Sequence, residues 1–210
     1  MSRGAAALLA ATAVNLPFGT LYAFSVLLKP LEALLAATRA EMSFVFGLAT
    51  VTLTLGMNLA PQLYRRAAPA TLALACGALG AAGLWLCAGA TSFLQFALGY
   101  GLLFGPGAGV VFIVAQQAVN QTVSGARGLA NGYVVSLYPL GAMFGAPALG
   151  WSMQAFGVRA SLAGLGAVVL AGCAGAAALL RAARVRLIDS SGEARAEERL
   201  GRTFYLLTAV

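Results

Sequence analysis

The chain has 210 residues, 60% of them hydrophobic and only 9% charged, with a mean hydropathy of +0.87. Soluble domains carry about 25% charged residues, so this chain cannot cover a water-facing surface, which excludes an ordinary cytoplasmic enzyme, a disordered chain and a secreted disulfide scaffold. The net charge of +7 comes from 13 Lys and Arg against 6 Asp and Glu. These cations lie in gaps between apolar runs, which is the pattern of an integral membrane protein and not of a nucleic-acid binder.

Taken in order, the charge-free stretches are Gly4 to Leu28, Met42 to Tyr64, Ala67 to Ala126, Gly128 to Val158 and Ala160 to Leu180. A span needs about 20 apolar residues, so the long third stretch holds two, turning near Ala90, Thr91 and Ser92. Six transmembrane helices are predicted, at about 5–28, 42–64, 70–89, 93–119, 129–153 and 160–181. The runs lack the period-two alternation of a barrel, and in lipid a helix satisfies its own backbone. Arg3, the run Ala5 to Val14 and the small-residue triplet Ala11-Thr12-Ala13 imitate a secretory signal with a cleavage site. The run continues to Leu28, however, which favours an uncut first helix.

With the N-terminus cytoplasmic, ten cations (Arg3, Arg65, Arg66, Arg127, Arg181, Arg184, Arg186, Arg195, Arg199, Arg202) lie inside. Lys29, Arg39 and Arg159 lie outside. That asymmetry follows the positive-inside rule and predicts a multi-pass protein of the plasma (inner) membrane. Residues 183–202 read as a charged cytoplasmic loop, and 203–210 as the start of a seventh helix.

Apart from Arg181 at the end of the sixth, the predicted spans contain no Lys, Arg, Asp or Glu, and the sequence contains no histidine. No metal set, nucleophile–base pair or carboxylate pair is expected there, so neither metal, cofactor nor enzymatic activity is predicted. Cys76, Cys87 and Cys173 read as small buried hydrophobes. Any polar lining must be neutral. On the first helix Asn15, Phe18, Tyr22 and Ser25 recur at three and four residues, a stripe ending at Lys29, while Thr50 and Thr54 give a weaker version on the second. The fourth helix carries Gly101, Gly105 and Gly109 for close helix approach, then Gln116, Gln117 and Asn120. The fifth combines Gly132, Gly141, Gly145 and Gly150 with Pro139 and Pro147, and holds Asn131, Tyr133, Ser136 and Tyr138.

Tyr22-Ala-Phe-Ser25, Lys29-Pro-Leu-Glu32 and Thr38-Arg-Ala-Glu-Met-Ser43 together resemble the start of major facilitator transporters, in the monocarboxylate transporter and oxalate:formate antiporter branch. Arg127-Gly-Leu-Ala-Asn-Gly132 and Phe156-Gly-Val-Arg159 resemble further signatures of that branch. Gly132, Gly141, Gly145 and Pro147 are similar to the superfamily's antiporter motif, with one extra residue before the proline. The loop Ala60-Pro-Gln-Leu-Tyr-Arg-Arg66 departs from the superfamily's pattern, with Tyr64 where an Asp would fall, and Val26 stands where monocarboxylate carriers place a lysine.

The resemblance implies an all-α membrane fold, with these six helices as one half of a twelve-helix carrier and a midplane site between the halves. It implies transport of a small organic anion by exchange or proton coupling. Pocket-facing residues are expected to be Asn15, Tyr22, Thr54, Gln116 and Tyr138. Arg127, Asn131, Gly132, Gly141, Gly145 and Pro147 are expected in gating or helix packing. The expected partners are the lipid bilayer, the small-molecule substrate and a second six-helix half (same gene, separate chain or homodimer), but no nucleic acid. The alternative is a truncated or non-transporting helical membrane subunit, or a half-size carrier acting as a homodimer.

Overall fold

In the computed structural model, residues 2–123, 125–185 and 187 are described. The charged loop at 183–202 falls mostly outside them, and the start of a seventh helix at 203–210 wholly so. Among the described residues every regular element is helical, and six helices are long and apolar enough to cross a membrane: α1 (Arg3–Leu35), α2 (Arg39–Tyr64), α3 (Pro69–Ala88), α4 (Phe93–Thr122), α5 (Arg127–Phe156) and α6 (Val158–Ala182).

Local sequence accounts for most ends. Ser2 caps α1 by accepting from the Ala5 N–H, and Thr38 and Glu41 form a reciprocal capping box at the start of α2. Pro69 occupies the first turn of α3, where its missing N–H costs nothing. Gly157 takes a φ of 82° between α5 and α6, a conformation glycine adopts readily. The α1–α2 connection is only three residues long. Lys29 and Glu32 therefore belong to the last turns of α1, and Glu32 receives the Arg39 guanidinium at 2.9 Å across that connection. At the same end of the bundle Arg159 donates to the Ala88 and Ala90 carbonyls at 3.0 and 2.9 Å, fastening the start of α6 to the end of α3. The opposite end gathers Arg3, Arg65, Arg66, Arg127, Arg181 and Arg184 and is called here the arginine-rich end.

Apart from α3 and α4, helices next to one another in sequence make slight contact. The extensive packings are α3 with α6, α2 with α4, α1 with α5, α3 with α4, α1 with α6, and the crossing of α1 on α4. Exchanging α1 with α4, α2 with α5 and α3 with α6 maps this set onto itself, so the unit is two three-helix repeats interlocked around a core of α1 and α4. Corresponding crossings use the same device. Between α1 and α5 a methyl on Gly19 would sit 2.5 Å from the Tyr138 carbonyl oxygen, and Gly141 faces the Leu16 carbonyl. Between α2 and α4 a methyl on Gly56 would sit 2.5 Å from the Pro106 carbonyl oxygen, and Gly109 faces the Leu53 carbonyl. Lipid supplies no hydrophobic drive between spans, so close backbone approach at small residues does the holding.

Two segments depart from α geometry. Residues Thr20–Ala23 of α1 are wound as a 3₁₀ turn, and Leu98–Phe104 of α4 as a π-helix. The first follows from its sequence. Pro17 lacks an N–H, and its own carbonyl accepts both the Thr20 N–H and, at 2.6 Å, the Thr20 hydroxyl. That i→i−3 closure is the 3₁₀ pattern.

Candidate functional site

α2 and α5 are the least buried of the six helices, and polar side chains concentrate beside them. Along α2, Ser43, Gly47, Thr50, Thr54 and Asn58 follow one another at intervals of four and three, and all but the half-buried Thr50 are exposed. The Thr54 hydroxyl donates to the Thr50 carbonyl at 3.0 Å and the Asn58 amide to the Thr54 carbonyl at 2.8 Å, so their oxygens remain available as acceptors. The neighbouring stripe, Phe44, Val51, Leu55 and Leu59, is exposed and apolar. One helix thus shows lipid-compatible and lipid-incompatible surfaces side by side. An exposed amide in hydrocarbon is costly, so the second surface belongs against protein or water.

α1 contributes Tyr22, which is 47% exposed, together with exposed Ser25 and Lys29. The Tyr22 ring meets the edge of Tyr138 of α5 at 6.0 Å, and Tyr138 meets Phe112 of α4 at 5.1 Å with the planes at 88°. These three rings form an edge-to-face ladder across α1, α5 and α4, a favourable arrangement of ring quadrupoles. Tyr138 is 4% exposed, and its hydroxyl donates to the Ala108 carbonyl at 3.0 Å. It therefore braces Tyr22 and ties α5 to α4, leaving its hydroxyl nothing to offer a cavity in this conformation. Toward the arginine-rich end Thr12 and Tyr133 share a hydrogen bond of 2.7 Å between α1 and α5.

The remaining expected site residues are dispersed. Thr54 is exposed on α2 and Gln116 half-buried on α4. Asn15 is 0% exposed, and neither its amide nitrogen nor its oxygen has a partner. The stripe Asn15, Phe18, Tyr22, Ser25 is therefore not one face. The 3₁₀ turn lies in its middle and advances about 20° more per residue than an α-helix. Phe18 and Tyr22 thereby lie about 100° apart, Phe18 pointing inward onto Phe104 at 5.3 Å and Tyr22 emerging, while Asn15 is buried and Ser25 exposed at different depths of the bundle.

Arg127 opens α5 and is exposed, and half-buried Asn131 has a buried side-chain oxygen without a partner. A methyl on Gly132 would meet nothing within 4 Å, whereas Gly141 and Gly145 pack on Leu16 and Thr20 of α1. Pro147 is exposed within α5. Phe112, Asn58, Thr12 and the hydroxyl of Tyr100 were not singled out from sequence. For Asn58 the signal was present, four residues beyond Thr54. For the others it was not, since the partners described here lie 26 or more residues away.

A separate cavity of about 490 Å³ opens between α1, α5 and α6, lined by Leu16, Phe144, Leu149, Leu165 and Val168 among others. Its hydroxyls are committed internally, Ser152 to Ser161 at 2.8 Å and Thr20 to Pro17. It is an apolar hollow and holds none of the polar face.

No family model matches the chain. Over 162 residues it is 32% identical to "Monocarboxylate transporter 11" of Mus musculus, a match covering 77% of this chain and 36% of that protein. The chain thus spans about a third of the length of this curated relative. Similarity to a transporter and six apolar spanning helices together identify an integral membrane protein, fit one half of a transporter of the major facilitator type, and point away from an enzyme.

Proposed function

We propose that the chain is the N-terminal six-helix half of a major facilitator carrier of the monocarboxylate branch, and that it moves a small organic anion by alternating access, through exchange or proton coupling. The observation that carries this reading is the exposed neutral polar surface of α2, with Tyr22, Ser25 and Lys29 of α1 on a neighbouring helix, in a chain otherwise built for lipid. Such a surface suits a water-filled path closed on its far side by a second six-helix unit. The name of the mouse relative supports an acid as cargo.

In this reading Tyr22, Thr54 and Gln116 contact the substrate, with Tyr138 holding the Tyr22 ring. Asn15 joins them when α1 moves against α4. Arg127 and Asn131 form gate structure at the arginine-rich end, which faces the cytoplasm, while Gly132 and Pro147 shape the exposed surface of α5 for its partner. Gly141 and Gly145 are the bearing on which α5 meets α1.

The test is uptake of labelled mono- and dicarboxylic acids into proteoliposomes holding the chain and any second half encoded with it. Tyr22→Ala is expected to raise the KM about tenfold, the usual scale for truncating an aromatic anchor, and Tyr22→Phe to retain most of the affinity. Failure of every acid to accumulate contradicts the reading. Unchanged kinetics in Tyr22→Ala contradicts the placement of the site.

A further inference from the structure

Four residues of α1, Thr20–Ala23, decide which way its last third points. Wound at 3.0 rather than 3.6 residues per turn, they rotate Phe24–Leu35 by about 80° relative to an unbroken α-helix. That is close to the 100° separating neighbouring residues on a helix. Ser25 is exposed in the observed winding, and Val26 is half-buried, approaching Gly150 of α5.

One hydrogen bond ties the turn to α4, beside the packing of Tyr22 on Tyr138 and of Thr20 on Gly145. The Leu21 carbonyl accepts the hydroxyl of Tyr100 at 3.3 Å. Tyr100 is 1% exposed, and its ring packs against Phe24, Phe96 and Phe104 at 5.0, 5.8 and 5.2 Å. It stands in the π-wound segment of α4, which is fastened in turn to α2 by the Thr52 hydroxyl on the Gly101 carbonyl at 2.5 Å. An over-wound segment of one core helix and an under-wound segment of the other are thus joined through a single phenol. π segments within α-helices are rare and frequently lie at functional sites.

We propose that Tyr100 is a positioning residue that latches the 3₁₀ turn of α1, and that release of its hydrogen bond lets Thr20–Ala23 rewind as α-helix. Rewinding brings Val26 to within about 20° of the direction Ser25 now occupies, carries Ser25 toward the half-buried side of α1, and turns Lys29 off the exposed face. Tyr22, third in the turn, rotates by about 60° and leaves the edge of Tyr138. The switch therefore exchanges a polar outer face of α1 for an apolar one without unfolding a helix. It does not rest on the transport reading.

Single cysteines at Ser25→Cys and Val26→Cys, in the full chain in native membranes, test this with a polar thiol reagent. Cys76, Cys87 and Cys173 are buried, and the chain without an added cysteine supplies their background. With Tyr100 intact, position 25 is expected to react and position 26 to react slowly. In the Tyr100→Phe background, which keeps the ring stack, reactivity at 26 is expected to rise relative to that at 25 by about fivefold, the change in equilibrium constant produced by losing one ordinary hydrogen bond. An unchanged pattern, or an equal rise at both positions, overturns the latch. A second measurement needs no variant at Tyr100. Amide hydrogen exchange of the unaltered chain is expected to show Leu21–Phe24 opening faster than the α1 segments on either side, and uniform protection along α1 overturns the proposal.

Discussion

Gly132 and Gly141 lie nine residues apart on α5 and meet different surroundings. At Gly141 the Leu16 carbonyl of α1 occupies the space a side chain would need, whereas Gly132 faces open space. Gly141→Ala is accordingly expected to lower stability by about 1–3 kcal/mol, the cost of overpacking a close contact. Gly132→Ala is expected to stay within about 0.5 kcal/mol. Thermal unfolding in detergent measures both, and equal effects would mean that the α1–α5 crossing does not depend on this approach. Asn15 gives a prediction of opposite sign. Its amide is buried without partners, and replacing an unsatisfied polar group with an apolar one of similar shape removes a desolvation penalty of about 1–3 kcal/mol. Asn15→Leu should therefore raise the melting temperature of the purified chain, and a lower one would show that the amide has a partner in solution.

At the scale of elements, Arg159 does the work of a cap. Its guanidinium holds the Ala88 and Ala90 carbonyls where α3 ends, groups that otherwise lack intrahelical donors. Arg159→Gln is expected to cost about 1–2 kcal/mol by loss of charge-assisted bonds near the surface. Breaking the exposed Arg39–Glu32 pair with Arg39→Gln is expected to matter less, because water and salt screen it. Comparing the two variants by chemical unfolding checks the order, and a larger loss in Arg39→Gln would reverse the assignment.

The elements were also where sequence reading succeeded most and then stopped. Long charge-free runs reveal spans because an ionised group in hydrocarbon is costly. They do not reveal which helix touches which, because lipid-facing and buried surfaces are both apolar: exposed Leu55 and buried Leu53 look alike in sequence. The stripe from Asn15 to Ser25 was legible as spacing, but Phe18 and Tyr22 diverge at a turn that the Thr20 hydroxyl helps to close on the Pro17 carbonyl. Of the aromatic ladder, Tyr22 and Tyr138 were readable as amphipathic rings. Phe112 was not, since only the crossing of α4 on α5 brings it to Tyr138.

For the whole molecule, the exchange symmetry of its packings leaves α2 and α5 as equivalent, weakly covered flanks of a core made by α1 and α4. In a carrier these flanks border the path, and on α2 that border divides sharply into a polar and an apolar stripe. The most direct measurement is a nitroxide scan of α2 from Ser43 to Gln62 in reconstituted membranes, reading collision with oxygen, which concentrates in lipid, and with a water-soluble paramagnetic complex. The expected result is two helical periodicities out of phase, with water contact greatest at Gly47, Thr54 and Asn58 and oxygen contact greatest at Val51, Leu55 and Leu59. Oxygen contact alone at every exposed position, with none from water at Thr54 and Asn58, would contradict a water-filled path along this face.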